Sequence, residues 1–240
     1  MSGNPRRVAL RSNASVDPVT TTLATVLTPS PAPVVTYYDV TSGERVELSG
    51  VTLANWVAKV ANLLVDELDA ERGTRVRIGL PSHWLRAVWL LGAWRVGAVV
   101  TDDAADIGLS GPELQADEPV RLAASLRPLG GRFPQEPDGF LDTAIHVPAS
   151  PDVFIDLDPP SPDDLAIDLD GRTVTHAELL SGPRLTGRVV REPQPLADDA
   201  ADLAAALAGG GSLVIVAGAG PADLERIAEQ ERATVEERGR

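Results

Sequence analysis

Residues 75–101 read RVRIGLPSHWLRAVWLLGAWRVGAVVT, and the reading of this stretch as strand, turn, helix and strand decides the fold class. Val76, Ile78 and Leu80 alternate with polar or small residues and stop at Pro81, which has no N–H to give to a ladder. Ser82 is placed to cap the helix that follows, its hydroxyl accepting from an orphan N–H of the first turn. From His83 to Arg95 only the histidine and two arginines are clearly polar, while Trp84, Val88, Trp89, Leu90 and Leu91 cover several faces. A helix that apolar is expected inside a layered domain. Gly97 stops it, and Ala98–Val100 begin a short buried strand. Strand, helix and strand in so few residues make a βαβ unit, hence a parallel sheet with a right-handed crossover.

Composition narrows the function classes. A chain of 240 residues, 43% hydrophobic and 23% charged, can bury a sizeable core. Its net charge is −14 and Lys59 is its only lysine, so phosphate backbones and anionic lipid are repelled; neither nucleic acid nor membrane is an expected partner. The lack of cysteine excludes disulfides, thiolate metal sites and a cysteine nucleophile. No apolar run approaches the ~20 residues a membrane helix needs. Arg6 and Arg7 are followed by VALRSNASVD, which holds another charge and no apolar core, so no export signal is read there and the cytosol is the default location.

Working outward, residues 1–17 are polar and read as a flexible amino terminus, and Val19–Leu27 as a short helix ended by the prolines at 29–33. Val34–Tyr38 and Arg45–Leu48 flank turn chemistry and predict a β-hairpin. Leu53, Trp56, Val57, Val60, Leu63 and Leu64 form a helical stripe over residues 52–68, with Lys59 on its solvated side. Asp106–Leu109 reads as a strand, and Val120–Leu126 as helix or strand. Residues 130–162 read mainly as loop, with Val153–Leu157 the best strand within them. Strands follow at Leu165–Leu169, Leu185–Val190 and Ser212–Val216, with helices near Ala177–Leu180, over Asp199–Ala208 and from Pro221. The tail from Glu236 reads as flexible.

The stretch quoted above resembles the N-terminal region of the adenylate-forming enzymes, in which "D-x-V-x-(apolar)₃-P-N-(S/C)-x-E-(apolar)…K-x-G-A-V" carries the same strand, helix and strand. The preceding run, TYYDVTSGERVELSGVTLANWVAKVANLLVDELDAERGTRVRIGLP, strengthens the likeness. It is closer still to an actinobacterial family of short proteins described as acyl-CoA-synthetase-like. The resemblance covers most of residues 34–235. It implies an α/β fold of three layers, mostly parallel, with an N-terminal hairpin: a single truncated N-terminal domain of the adenylate-forming fold over residues 18–235. The family's later stations, "Y-G-x-T-E", the ribose-binding aspartate strand and the C-terminal lysine domain, are expected to lie beyond where the chain ends.

The resemblance also says where phosphate chemistry would stand. In the family, "D-D-L-A-x-I" leads into a loop of hydroxyl residues, glycines and a lysine that holds the ATP phosphates. Here Asp163-Asp164-Leu165-Ala166-Ile167 matches the lead-in, and Thr175, His176 and Leu179 match the helix start that follows. Between them stand Asp168 and Asp170, and the hydroxyl–glycine core is missing. Bare carboxylates repel phosphate, and two acids are weak evidence for a metal.

Other candidates resolve to structural roles. Gly218 and Gly220 sit where a dinucleotide fingerprint puts its first two glycines, but the third position is Asp223, so a tight turn is the better explanation. His83, His146 and His176 show no ligand spacing, and His83 and His176 read as capping or packing residues. Trp84, Trp89 and Trp94 recur every five residues and read as core. No catalytic, cofactor-binding or metal-binding residue is therefore assigned, and no cofactor. The expectation is a degenerate, non-catalytic binding or regulatory module with a protein or small-molecule partner. The alternatives are an acyl or aryl adenylate-forming ligase completed by another chain, and a small-molecule binding protein without turnover.

Overall fold

The computed structural model describes residues 22–235. The chain runs α1 (Leu23–Val26), β1 (Pro33–Asp39), β2 (Glu44–Ser49), α2 (Gly50–Asn62), β3 (Arg75–Gly79), α3 (Trp84–Arg95), β4 (Val99–Thr101), β5 (Ile107–Ser110), β6 (Val120–Ala123) and β7 (Leu141–Asp142). It continues with α4 (Thr143–Ala149), β8 (Leu165–Leu169), β9 (Arg172–Thr175), α5 (His176–Leu180), β10 (Arg188–Arg191), α6 (Leu196–Gly209), β11 (Ser212–Ala217), α7 (Pro221–Glu231) and β12 (Thr234–Val235). The expectations for residues 1–17, for the start of the first helix before Thr22 and for the tail from Glu236 lie outside the described residues.

The strands form two sheets, ordered β12-β10-β11-β1-β2 and β7-β6-β5-β3-β4-β8-β9. Each is parallel except at one edge, where β1–β2 and β8–β9 are antiparallel hairpins. The mixed, mostly parallel α/β architecture agrees with the sequence; the division of its strands between two sheets was not visible there.

Helix α3 lies between the sheets. It touches β1 of one and β3 and β4 of the other, together with α1, α2 and α6. Every residue from Trp84 to Trp94 is buried, which is why this helix has no polar face. Its cap is His83, whose Nδ1 accepts from the Leu85 N–H at 3.2 Å. Ser82 is turned away to bond Asp199, because a buried carboxylate competes for the same hydroxyl. The neighbouring α2 packs closely on α3: a Cβ on Gly92 would stand 2.3 Å from Val60 Cγ1. The main core cluster takes in Val35 and Ile215 from one sheet and Val76, Ile107, Leu122 and Ile167 from the other, and a smaller cluster packs Val190, Val214 and Val216 against α7.

Two expectations for the long loop are corrected. Residues 143–149 form α4, started by Asp142, whose Oδ1 accepts from the Ala144 N–H at 2.9 Å; Pro148 in its last turn hid it in the sequence. Val153–Leu157 pairs with no strand among the described residues, although its exposure alternates as a strand's would. The Gly218–Gly220 turn is as expected: Gly218 has φ +68° and Gly220 caps α7. Among the described residues no helix is long and apolar enough to cross a membrane.

Candidate functional site

The turn of the β8–β9 hairpin follows Asp163–Ile167, where the sequence resemblance implies a phosphate loop. Leu169 pairs with Arg172, so Asp170 and Gly171 alone make the turn. Their φ values of 55° and 69° fit a type I′ turn, for which Asp-Gly is a favoured pair. A two-residue turn offers no concave run of N–H groups of the kind that cradles phosphate. The Asp170 N–H already donates to Asp102 Oδ2 at 2.9 Å.

Neither aspartate is arranged for a metal. Arg75 Nη2 lies 2.8 Å from Asp168 Oδ2 and also donates to Thr101 Oγ1 at 2.7 Å, so Asp168 fastens β8 to β3 and β4. Among the described residues no cluster of three or more His, Asp or Glu side chains could hold a metal ion. Lys59, read as a solvated residue, instead donates from Nζ to the carbonyls of Ser150 at 2.5 Å and Pro148 at 3.1 Å. It staples the end of α4 to α2, supplying the part-buried Ser150 carbonyl with a donor.

The histidines are dispersed and two are packed. The capping box of α5, in which Thr175 Oγ1 accepts from the Glu178 N–H and Glu178 Oε2 from the Thr175 N–H, sets His176 in the first turn. His176 is fully buried with neither ring nitrogen hydrogen-bonded, and burial pushes its pKa down to about 4. His83 is pushed to about 4 for the same reason, its ring 4.4 Å from that of Tyr37. Because Nδ1 accepts, the proton of neutral His83 is assigned to Nε2. Tyr37 is raised to about 12 by burial and by Asp39 and Glu44. His146 Nδ1 lies 3.1 Å from Glu67 Oε2. The three tryptophans of α3 are core, as expected.

A cleft of about 710 Å³ opens beside the hairpin, between β8–β9 of one sheet and β10 and α6 of the other. Ile167, Leu169, Val189 and Ala205 give it apolar walls. Arg172, Glu178 and Arg184 are exposed lining residues. In its buried part Arg191 Nε meets Asp202 Oδ2 at 2.7 Å, and Gln194 Nε2 donates to the same oxygen at 3.1 Å. The lining includes no histidine or serine, so no hydroxyl–imidazole pair of the kind that works in nucleophilic catalysis faces it. The cleft combines apolar walls with a few polar groups fixed by their own hydrogen bonds. Sequence reading missed the cleft because its residues come from β8, β9, α5, β10, α6 and the connection before β10, with no local spacing to join them.

Comparison with solved structures defines the class. The chain superposes on an acyl-CoA synthetase of Brucella canis with a TM-score of 0.71 at 16% identity, covering 90% of this chain and 47% of that one. A fatty acyl CoA synthetase of Mycobacterium tuberculosis gives 0.66 at 14%, covering 88% and 48%. The N-terminal domain of FACL13, also of Mycobacterium tuberculosis, gives 0.65 at 13%, covering 89% and 61%. The fold is that of the N-terminal domain of acyl-CoA synthetases, which are adenylate-forming enzymes, and the chain spans about half the length of the first two. No family model matches it. It belongs to the TIGR03089 family: it is 38% identical over 226 residues to a TIGR03089 family protein of Mycobacterium tuberculosis, covering 84% of this chain and 90% of that one.

Proposed function

We propose that this protein is a non-catalytic binding or regulatory module on an acyl-CoA synthetase scaffold, which holds a small organic ligand in the cleft beside the β8–β9 hairpin. The observation that carries this reading is the Asp170–Gly171 turn, which joins β8 directly to β9 where a phosphate-binding loop would stand. Without oriented donors, ATP phosphates have nothing to bind, and each such donor lost from a site of this kind costs ~10²–10³ in rate. The carboxylates of Asp168 and Asp170 add repulsion. The cleft keeps what binding needs, with apolar walls and side chains fixed by their own hydrogen bonds.

The test is to incubate the protein with ATP, magnesium and a panel of fatty and aryl acids. No acid-dependent pyrophosphate is expected above a control without protein. Release of pyrophosphate would overturn the reading in favour of an adenylate-forming ligase. Native mass spectrometry of the purified protein tests the binding half, with a retained small molecule expected in the parent and lost in Ala205→Trp, which fills the cleft.

A further inference from the structure

We propose that Val153–Leu157 is a strand held ready for a partner, and that the partner is a basic protein segment adding to it edge to edge. Exposure alternates along the segment as on a strand with one face against the protein. Val153, Ile155 and Leu157 are 69%, 74% and 91% exposed, whereas Phe154 and Asp156 between them are half-buried. In an ordinary half-buried strand the apolar residues face the core and the polar ones face water. Here the outward set is aliphatic.

The segment is clamped at both ends by side chains. Asn62 Nδ2 donates to the carbonyls of Pro151 at 2.9 Å and Val153 at 3.0 Å, and Lys59 Nζ to that of Ser150. At the far end Arg72 Nη2 lies 2.6 Å from Asp158 Oδ1. Between them the Arg95 guanidinium sits 5.6 Å from the centre of the Phe154 ring. The backbone N–H groups of Val153 to Leu157 donate to nothing among the described residues. A pre-positioned backbone with unused donors lowers the ordering cost of a strand that adds to it, and alternate side chains then supply selectivity.

Charge selects the partner. From residue 133 to residue 171 the chain has ten Asp and Glu and no Lys or Arg; Asp158 is answered by Arg72, which leaves Asp152 and Asp156 as the carboxylates within or beside the strip. Pairing with a second copy would bring these carboxylates together, and anionic lipid or nucleic acid would be repelled. A segment alternating aliphatic residues with lysine or arginine meets both features at once. This surface is separate from the cleft and does not depend on it.

The test uses a fluorescent nine-residue peptide alternating lysine and valine, followed by anisotropy, with a glutamate–valine peptide of the same length as control. Saturable binding of the basic peptide alone is expected, weakened about tenfold by Ile155→Asp or Leu157→Asp. Valines methylated on their backbone nitrogens should abolish it, because the ladder needs those donors. Both protein variants change exposed side chains, and unaltered circular dichroism will show that they fold. Three results overturn the proposal: no saturable binding, equal binding by the parent and Ile155→Asp, or hydrogen-exchange protection that falls outside residues 152–158. A dimer found by light scattering and dissolved by Ile155→Asp would also overturn it, assigning the strip to a second copy.

Discussion

Arg86 Nη1 lies 2.6 Å from Asp199 Oδ2, and this pair ties the crossover helix of one sheet to that of the other. Arg86 is on α3, between β3 and β4, while Asp199 is on α6, between β10 and β11. Ser82 Oγ donates to the same carboxylate oxygen at 2.6 Å, and Arg86 also donates to the carbonyls of Leu80 and Gln194. Burial pushes the arginine's pKa down and the aspartate's up, so for each partner desolvation outweighs mutual attraction.

Removing one partner strands a buried charge. Arg86→Met or Asp199→Leu alone should therefore cost about 3–5 kcal/mol. The double variant should cost less than the sum by at least ~1 kcal/mol, since neither orphan remains. Urea unfolding of the four proteins measures the coupling, and strict additivity would show that the pair does not act as a unit.

The buried helix sets stability elsewhere too. Trp89→Ala and Leu91→Ala remove side chains that are 1% and 2% exposed, and each should cost about 2–5 kcal/mol. Arg172→Ala, on the exposed start of β9, should cost under ~0.5 kcal/mol. Equal denaturation midpoints for all three would contradict the burial described.

Acid should destabilise the fold through its buried histidines. His83 and His176 titrate at about 4 in the native state and near 6.5 when unfolded, with Asp39 and Asp164 only partly opposing the shift. Between those values the unfolded chain binds more protons, so stability is complete above pH 6.5 and falls as pH drops towards 4. Each histidine contributes about 3 kcal/mol over that window. His176→Leu, which leaves no hydrogen bond broken, should flatten the slope by roughly half when unfolding is followed at several pH values.

The Lys59 staple predicts a local effect. Lys59→Met removes the donor of the Pro148 and Ser150 carbonyls, at a cost of about 1–2 kcal/mol. Limited chymotrypsin digestion should then cut sooner at Phe154–Leu157. Unchanged cleavage would mean that Asn62 alone holds the segment.

Local chemistry made much of this protein legible in its sequence. The alternation of Val76, Ile78 and Leu80, the unbroken apolar run of α3, the Thr-Ser-Gly turn of the first hairpin and the Gly209–Gly211 stop after α6 each act within a few residues. That no hydroxyl–glycine run stands between Asp163–Ile167 and Thr175 was legible for the same reason, since these residues are neighbours along the chain. Tertiary structure decided the rest. Periodicity assigns a strand to a buried face without naming the sheet it joins, so the separation of β1, β10 and β11 from β3, β4 and β8 appeared only on folding. The cleft draws on β8–β9, α5, β10 and α6, which only topology brings together. Val153–Leu157 has the alternating exposure of a strand, but pairing needs a partner backbone at ladder distance, and none of the described residues supplies one.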